Sequence, residues 1–180
     1  MLLEGRNNNY MISGNQKGGI LVEASLSAPI LIMIFFVCTD FLLYTKSFTY
    51  AEQVTRDAAL FMATTPGALK NVTLAMNKDD SNNSHIEEIG QICKSLPDEI
   101  YSNNGLCIHA LTLLRIRNMI RSHGNQLKSD EFIATAAYDG TNVSVQIQVY
   151  PRVIFGVYGF FNKEQKIIRK TSTLKRIFLF

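Results

Sequence analysis

Apolar residues are distributed along this chain in two ways. From Gly18 to Tyr44 they form a nearly unbroken run, GGILVEASLSAPILIMIFFVCTDFLLY, with no charged residue between Ala24 and Thr39. Elsewhere they recur with a period or alternate with polar residues. At about 1.5 Å of rise per residue, a helix over the run exceeds the roughly 30 Å hydrocarbon core of a bilayer. Beyond it, Val54, Ala58, Phe61 and Met62 recur at spacings of three and four, so the helix is expected to continue with an apolar stripe. Thr64-Thr65-Pro66-Gly67 is its stop signal. The stripe can seat the helix on the chain's own remaining domain or on another subunit. Glu52 and Arg56 are placed for an i,i+4 pair.

The remainder is more varied. Asn77 to Ser84 reads as a polar loop, and Ser84-His85-Ile86-Glu87 as a capping box. That box opens a short helix carrying Ile86, Ile89, Gly90 and Cys93, closed by Pro97. The run from Leu106 to Arg117, apolar and then basic, reads as a strand between turns at Ser102–Gly105 and Ser122–Asn125. Phe132–Tyr138, Asp139-Gly140 and the alternating Val143, Val145, Ile147 and Val149 predict a hairpin ended by Pro151. A further strand is expected over Ile167–Leu174. Phe155, Tyr158, Phe160 and Phe161 form an aromatic cluster, suited to core filling or to a partner patch. The expected fold is α+β: a long N-terminal transmembrane helix, then a small extracytoplasmic domain with a short antiparallel sheet and one short helix. Its parts are a leader (1–18), the membrane and extended helix (19–65), and the exported domain (66–180).

Composition narrows the function. Charged residues are 18% of the 180-residue chain, a low share caused by the uncharged run. A formal charge of +3 without a basic, aromatic-interleaved stripe excludes direct nucleic-acid binding. His85, Cys93, Cys107 and His109 match no compact zinc spacing, so neither a metal nor another cofactor is expected. Cys107-x-His109 would share one face of a strand. No nucleotide loop, nucleophile elbow or His-Glu-x-x-His is present, and Glu87-Glu88 point apart on a helix. No catalysis is expected.

The apolar run decides the class. Arg6, Lys17 and the terminal amine flank one end and Asp40 the other, so the positive-inside bias keeps the N-terminus cytoplasmic and exports the C-terminal part. A cleavable secretory signal would be shorter and would end in a small-x-small site. A lipoprotein signal would need a small residue before Cys38, where Val37 stands. A plain, unprocessed single-pass envelope adaptor with a periplasmic interaction domain is the simple alternative. Glu23 argues against it, because a carboxylate in an apolar helix costs about 2.5–3.5 kcal/mol at bilayer centre. A cut between Gly18 and Gly19 would give it a use. It would become the fifth residue of the mature chain, one turn from the new amine, which it could neutralise in its own chain or a neighbour's. Glycine on both sides of the bond suits a protease that grips extended backbone. Pro29 lacks the amide hydrogen owed to the Ser25 carbonyl; it is either a kink with a purpose or a tolerated membrane proline. Ser25 and Ser27 could satisfy freed backbone groups. In an exported domain, Cys93 and Cys107 could close a disulfide around a loop of roughly 15 residues, worth about 3 kcal/mol; the alternative is two free buried thiols.

These residues resemble a known pattern. Lys17-Gly18, Gly19 and Glu23 look like a type IV prepilin: a basic leader ending in Gly, cleavage by a membrane prepilin peptidase, and Glu at mature position five. The wider string Gly19-Ile-Leu-Val-Glu23-Ala24, Pro29, and Asp40-Phe41, with the Ala51–Ala59 continuation, resembles the TadE/TadF-like minor pseudopilins of tight-adherence (Flp-type) pili. That family often has an aromatic after the Glu, where this chain has Ala24, and Gly after the acidic-aromatic pair, where it has Leu42. Secretion-system pseudopilins usually open the mature chain with Phe, where this one has Gly19. The resemblance implies a pilus-assembly component anchored in the bacterial inner membrane. Its partners would be prepilin peptidase, other pilin or pseudopilin subunits and the assembly platform.

Overall fold

A computed structural model describes residues 13–77, 82–96, 105–122, 127–151, 154–155 and 167–176. The chain forms two compact units, Met1–Thr39 and Asp40–Phe180. The fold is α+β. A single helix, α1, runs Ser13–Thr64 and passes through Pro29. Then come β1 (Val72–Asn77), α2 (Asn82–Ser95), α3 (Gly105–Ser122), β2 (Leu127–Tyr138), β3 (Asn142–Pro151) and β4 (Ile168–Lys175).

In the second unit the four strands form one antiparallel sheet in the order β1-β2-β3-β4. β3 alternates buried and half-buried positions along its whole length, the period-2 signature of a strand with one face on a core. Register aligns the inward residues in rows. Met76 lies opposite Ala134, Ala134 opposite Ile147, and Ile147 opposite Lys170. Ser144, Gln146 and Gln148 point to the other face. Because Ala134 and Ala136 are small, α3 packs closely on β2, and α2 in turn packs on α3.

The stripe on α1 is a core face. Ala51, Val54, Ala58, Ala59 and Met62 are buried and join Ile108, Leu113, Ile116 and Ile147 in one cluster. Of the two partners open to that stripe, the chain's own domain takes it. Among the described residues, ion pairs flank this core: Asp57 with Arg115 at 2.9 Å, Glu52 with Lys170 at 3.1 Å, and Glu87 with Arg117. Glu52 thus reaches β4 rather than Arg56. Exposed pairs of this kind are worth about 0–1 kcal/mol each, so burial of the apolar residues holds the unit together.

The structure departs from the sequence-based expectation in several places. Residues Leu106–Arg117 are helical, within α3, so among the described residues two helices after α1, rather than one short helix, accompany the sheet. The buried positions His109, Thr112, Leu113, Ile116 and Ile120 have helical period, but the segment Leu106–Leu114, apolar at every position except His109 and Thr112, hides it. β1 went unrecognised because only Val72, Leu74 and Met76 alternate inward over six residues. Ser84 lies inside α2, which already begins at Asn82; Asn83 Nδ2 reaches back to the Asn77 carbonyl. The hairpin stands where expected, with Asp139–Thr141 as its connection. Gly140 there has φ +101°, a region L side chains rarely enter. Asp139 Oδ1 accepts the amides of Thr141 and Asn142 at 2.7 and 2.6 Å, which holds that carboxyl below its ordinary range. Tyr158, Phe160 and Phe161 lie outside the described residues.

Candidate functional site

The residues singled out for assembly all lie on α1 in the first unit. That helix is long and apolar enough to cross a membrane, and none of its most apolar window is buried by the protein. Ile20, Leu21, Val22, Leu26 and Ile30–Phe35 are all exposed. The hydroxyls in the run are turned inward on their own helix. Ser25 Oγ donates to the Val22 carbonyl at 2.8 Å, Ser27 Oγ to Ala24 at 3.3 Å and Thr39 Oγ1 to Phe35 at 2.8 Å. Such local bonds leave an apolar exterior compatible with lipid. Neither serine donates to the Ser25 carbonyl that Pro29 frees.

Lys17, Gly18 and Gly19 lie within α1, so the Gly18–Gly19 peptide is helical in the resting chain. Gly19 has no heavy atom within 4 Å of where a Cβ would stand. A protease needing extended backbone must first unwind this turn. Paired glycines make that easier, each being about 1 kcal/mol poorer than Ala in a helix interior. Glu23 is exposed one turn further on, and it is the one charged residue between Gly19 and Thr39. Pro29, with Met33 and Val37, lines an open apolar groove along the helix.

The second unit brings together groups far apart in sequence. Cys93 of α2 and Cys107 of α3 form a disulfide with Cα atoms 5.6 Å apart, and both are buried; Cys38 is free and exposed. The pair staples α2 to α3 where Gly90 already lets Leu114 approach, since a Cβ on Gly90 would strike the Leu114 side chain. With both sulfurs committed, Cys107 and His109 share no ligand face. His109 points elsewhere, Nδ1 lying 3.3 Å from the Ala136 carbonyl and Nε2 3.2 Å from that of Leu69. A neutral imidazole can donate to one of these only. Desolvation lowers the His109 pKa, outweighing the two carbonyls that favour the imidazolium; the nearby Arg176 guanidinium lowers it further.

Arg176 itself donates to the carbonyls of Thr65 and Ala68 at 3.3 and 3.4 Å, and Asn71 N donates to the Tyr138 carbonyl at 2.7 Å. The turn after α1 therefore has its backbone groups satisfied by side chains and sheet, as a partly buried turn requires. Asp40 plays a similar part at the other end of the helix segment. It is fully buried, and its Oδ1 accepts the amides of Ile154 and Phe155 at 3.2 and 3.1 Å.

Sequence reading missed the tertiary roles of Asp40, His109 and Arg176. Only Asp40 carried a signal, as the first charge after the apolar run. Among the described residues no three metal-ligating side chains converge. Compared with family models, curated proteins and solved structures, the chain matches none.

Proposed function

We propose that the chain is a TadE/TadF-like minor pseudopilin, a pilus-assembly component of the inner membrane with no catalytic role. Prepilin peptidase removes residues 1–18. The helix from Gly19 onward then spans the membrane with its N-terminus cytoplasmic, and packs among other pilin or pseudopilin helices at the assembly platform. The domain from Asp40 onward stands in the periplasm. One observation carries this reading: Glu23 is an exposed, solitary carboxylate on an apolar helix that the fold leaves uncovered. Four residues of helix rise place it about 6 Å along the axis from the amine a cut would create at Gly19. A neighbour's amine or its own can offset the penalty of a charge in hydrocarbon. The disulfide fits an oxidising compartment for the second unit.

The test is the mass of the membrane-extracted protein from cells with and without active prepilin peptidase. The expected result is loss of residues 1–18 only where the peptidase is active. An intact N-terminus in its presence would overturn the processing claim and leave the unprocessed envelope adaptor as the reading. Glu23→Gln is expected to be processed and inserted normally yet to fail in co-purification with other pilin subunits.

A further inference from the structure

Two strongly apolar side chains of the second unit stand exposed beside a fully buried carboxylate. Ile154 is 68% and Phe155 42% exposed, although they come within four residues of the end of β3, whose alternate residues are buried. Their backbone amides both donate to Asp40. Asp40 is the first charged residue after the uncharged run Ala24–Thr39, and chain connectivity alone puts it where that run ends. The same turn of α1 carries Phe41 and Leu42, 47% and 65% exposed. Apolar groups therefore surround Asp40 at one level of the helix, while the carboxylate itself is enclosed.

We propose that Ile154 and Phe155 form an interfacial wedge that inserts into the outer surface of the bilayer spanned by α1. The proposal rests on the membrane reading of α1 given above. The occupant is lipid because the wedge is tied, by two hydrogen bonds, to the residue at which the membrane run stops. Phe and large aliphatic side chains are among those that interfacial segments bury at the boundary between headgroups and acyl chains. Asp40 has a defined task in this arrangement. Its carboxylate accepts the amides of Ile154 and Phe155, as polar backbone groups entering a water-poor zone require. The second unit is thus held to the membrane surface at a second point besides the helix.

The chain contains no tryptophan, so single-tryptophan variants report depth directly. Full-length Phe155→Trp, Met33→Trp and Leu60→Trp proteins are reconstituted in phosphatidylethanolamine–phosphatidylglycerol vesicles. The vesicles carry lipids brominated either near the headgroup or near the terminal methyl. Leu60 is exposed and about 30 Å along the helix from Asp40, so it serves as the aqueous reference. The expected result is deep-bromine quenching of Met33→Trp, shallow-bromine quenching and a blue shift for Phe155→Trp, and neither for Leu60→Trp. If Met33→Trp is quenched and Phe155→Trp is not, the wedge is wrong and the span stands. A blue-shifted but unquenched Phe155→Trp means that protein covers the site, which also overturns the lipid assignment. If Met33→Trp is unquenched, the span falls and the wedge with it. A thiol count under non-reducing conditions checks that each variant has folded and kept its disulfide. Should Phe155→Trp fail that check, Ile154→Trp gives the same reading at the more exposed position.

Discussion

Breaking the Cys93–Cys107 bond is expected to lower the stability of the second unit by about 3 kcal/mol. The bond closes a loop with a sequence separation of 14, and cross-linking a loop of roughly 15 residues removes about 3 kcal/mol of chain entropy from the unfolded state. Both sulfurs are buried, at 1% and 0% exposure, so reduction leaves two neutral thiols in place and removes little packing. The entropy figure is therefore close to the whole effect. For a unit between the small and mid-sized domain classes, that corresponds to a melting midpoint lower by about 10 °C. The assay is thermal unfolding of the detergent-solubilised full-length chain, followed by far-ultraviolet circular dichroism with and without reductant. Maleimide labelling in denaturant supplies the control. One thiol, Cys38, should label before reduction and all three after it. A Cys93→Ala/Cys107→Ala variant should melt near the reduced wild-type midpoint and ignore reductant. An unchanged midpoint in protein whose three thiols all label would refute the reasoning. So would labelling of all three thiols before reduction.

Ile147→Ala should cost about 2–5 kcal/mol, toward the upper end. The residue is fully buried opposite Ala134, a neighbour too small to fill the cavity; Gln146→Ala on the other face should stay within about 0.5 kcal/mol, and chemical denaturation compares the two. Burial lowers the folded-state pKa of His109, so its contribution is fully present above the ordinary histidine value near 6.5. It should fade as pH falls from there through the lowered folded value. Melting midpoints between pH 7.5 and 5 should fall in the wild type, and His109→Gln should lose much of that slope; an equal slope in both would remove His109 as the cause. Asp40→Ala should destabilise by about 1.5–3 kcal/mol for each of the two amide hydrogen bonds lost, and Asp40→Asn, which keeps an acceptor oxygen, by less; equal losses for the two would contradict the hydrogen-bond account. Denaturant titration of the detergent-solubilised protein measures both.

Some features were legible in the residues because they are local. The apolar run, its length against a bilayer, the isolated Glu23 and the Gly18–Gly19 pair need no tertiary information. The stop after Thr64 and the hairpin at Asp139-Gly140 are set by a few adjacent residues, and the structure has both. The stripe from Val54 to Met62 announced a buried face through its period alone. What it packed against was not legible, since an apolar face is equally at home on a domain or a partner. Only the assembled core, with Ile108, Leu113 and Ile147 beneath it, decided for the chain's own domain.

The features that escaped the sequence are those whose cause lies elsewhere in the chain. α3 passed for a strand because contact with both the sheet and α2 makes its first half apolar on nearly every side, erasing the period. β1 is six residues long and gains its meaning from pairing with β2. Cys93 and Cys107 could be named as a pair in advance, but whether two thiols bond depends on two helices meeting. Asp40 shows the division most plainly. By itself the sequence determined where the apolar helix stops. Folding alone decided that the stopping residue would be buried and would hold the amides of Ile154 and Phe155, because a carboxylate removed from water must find donors, and these two lie more than a hundred residues along the chain.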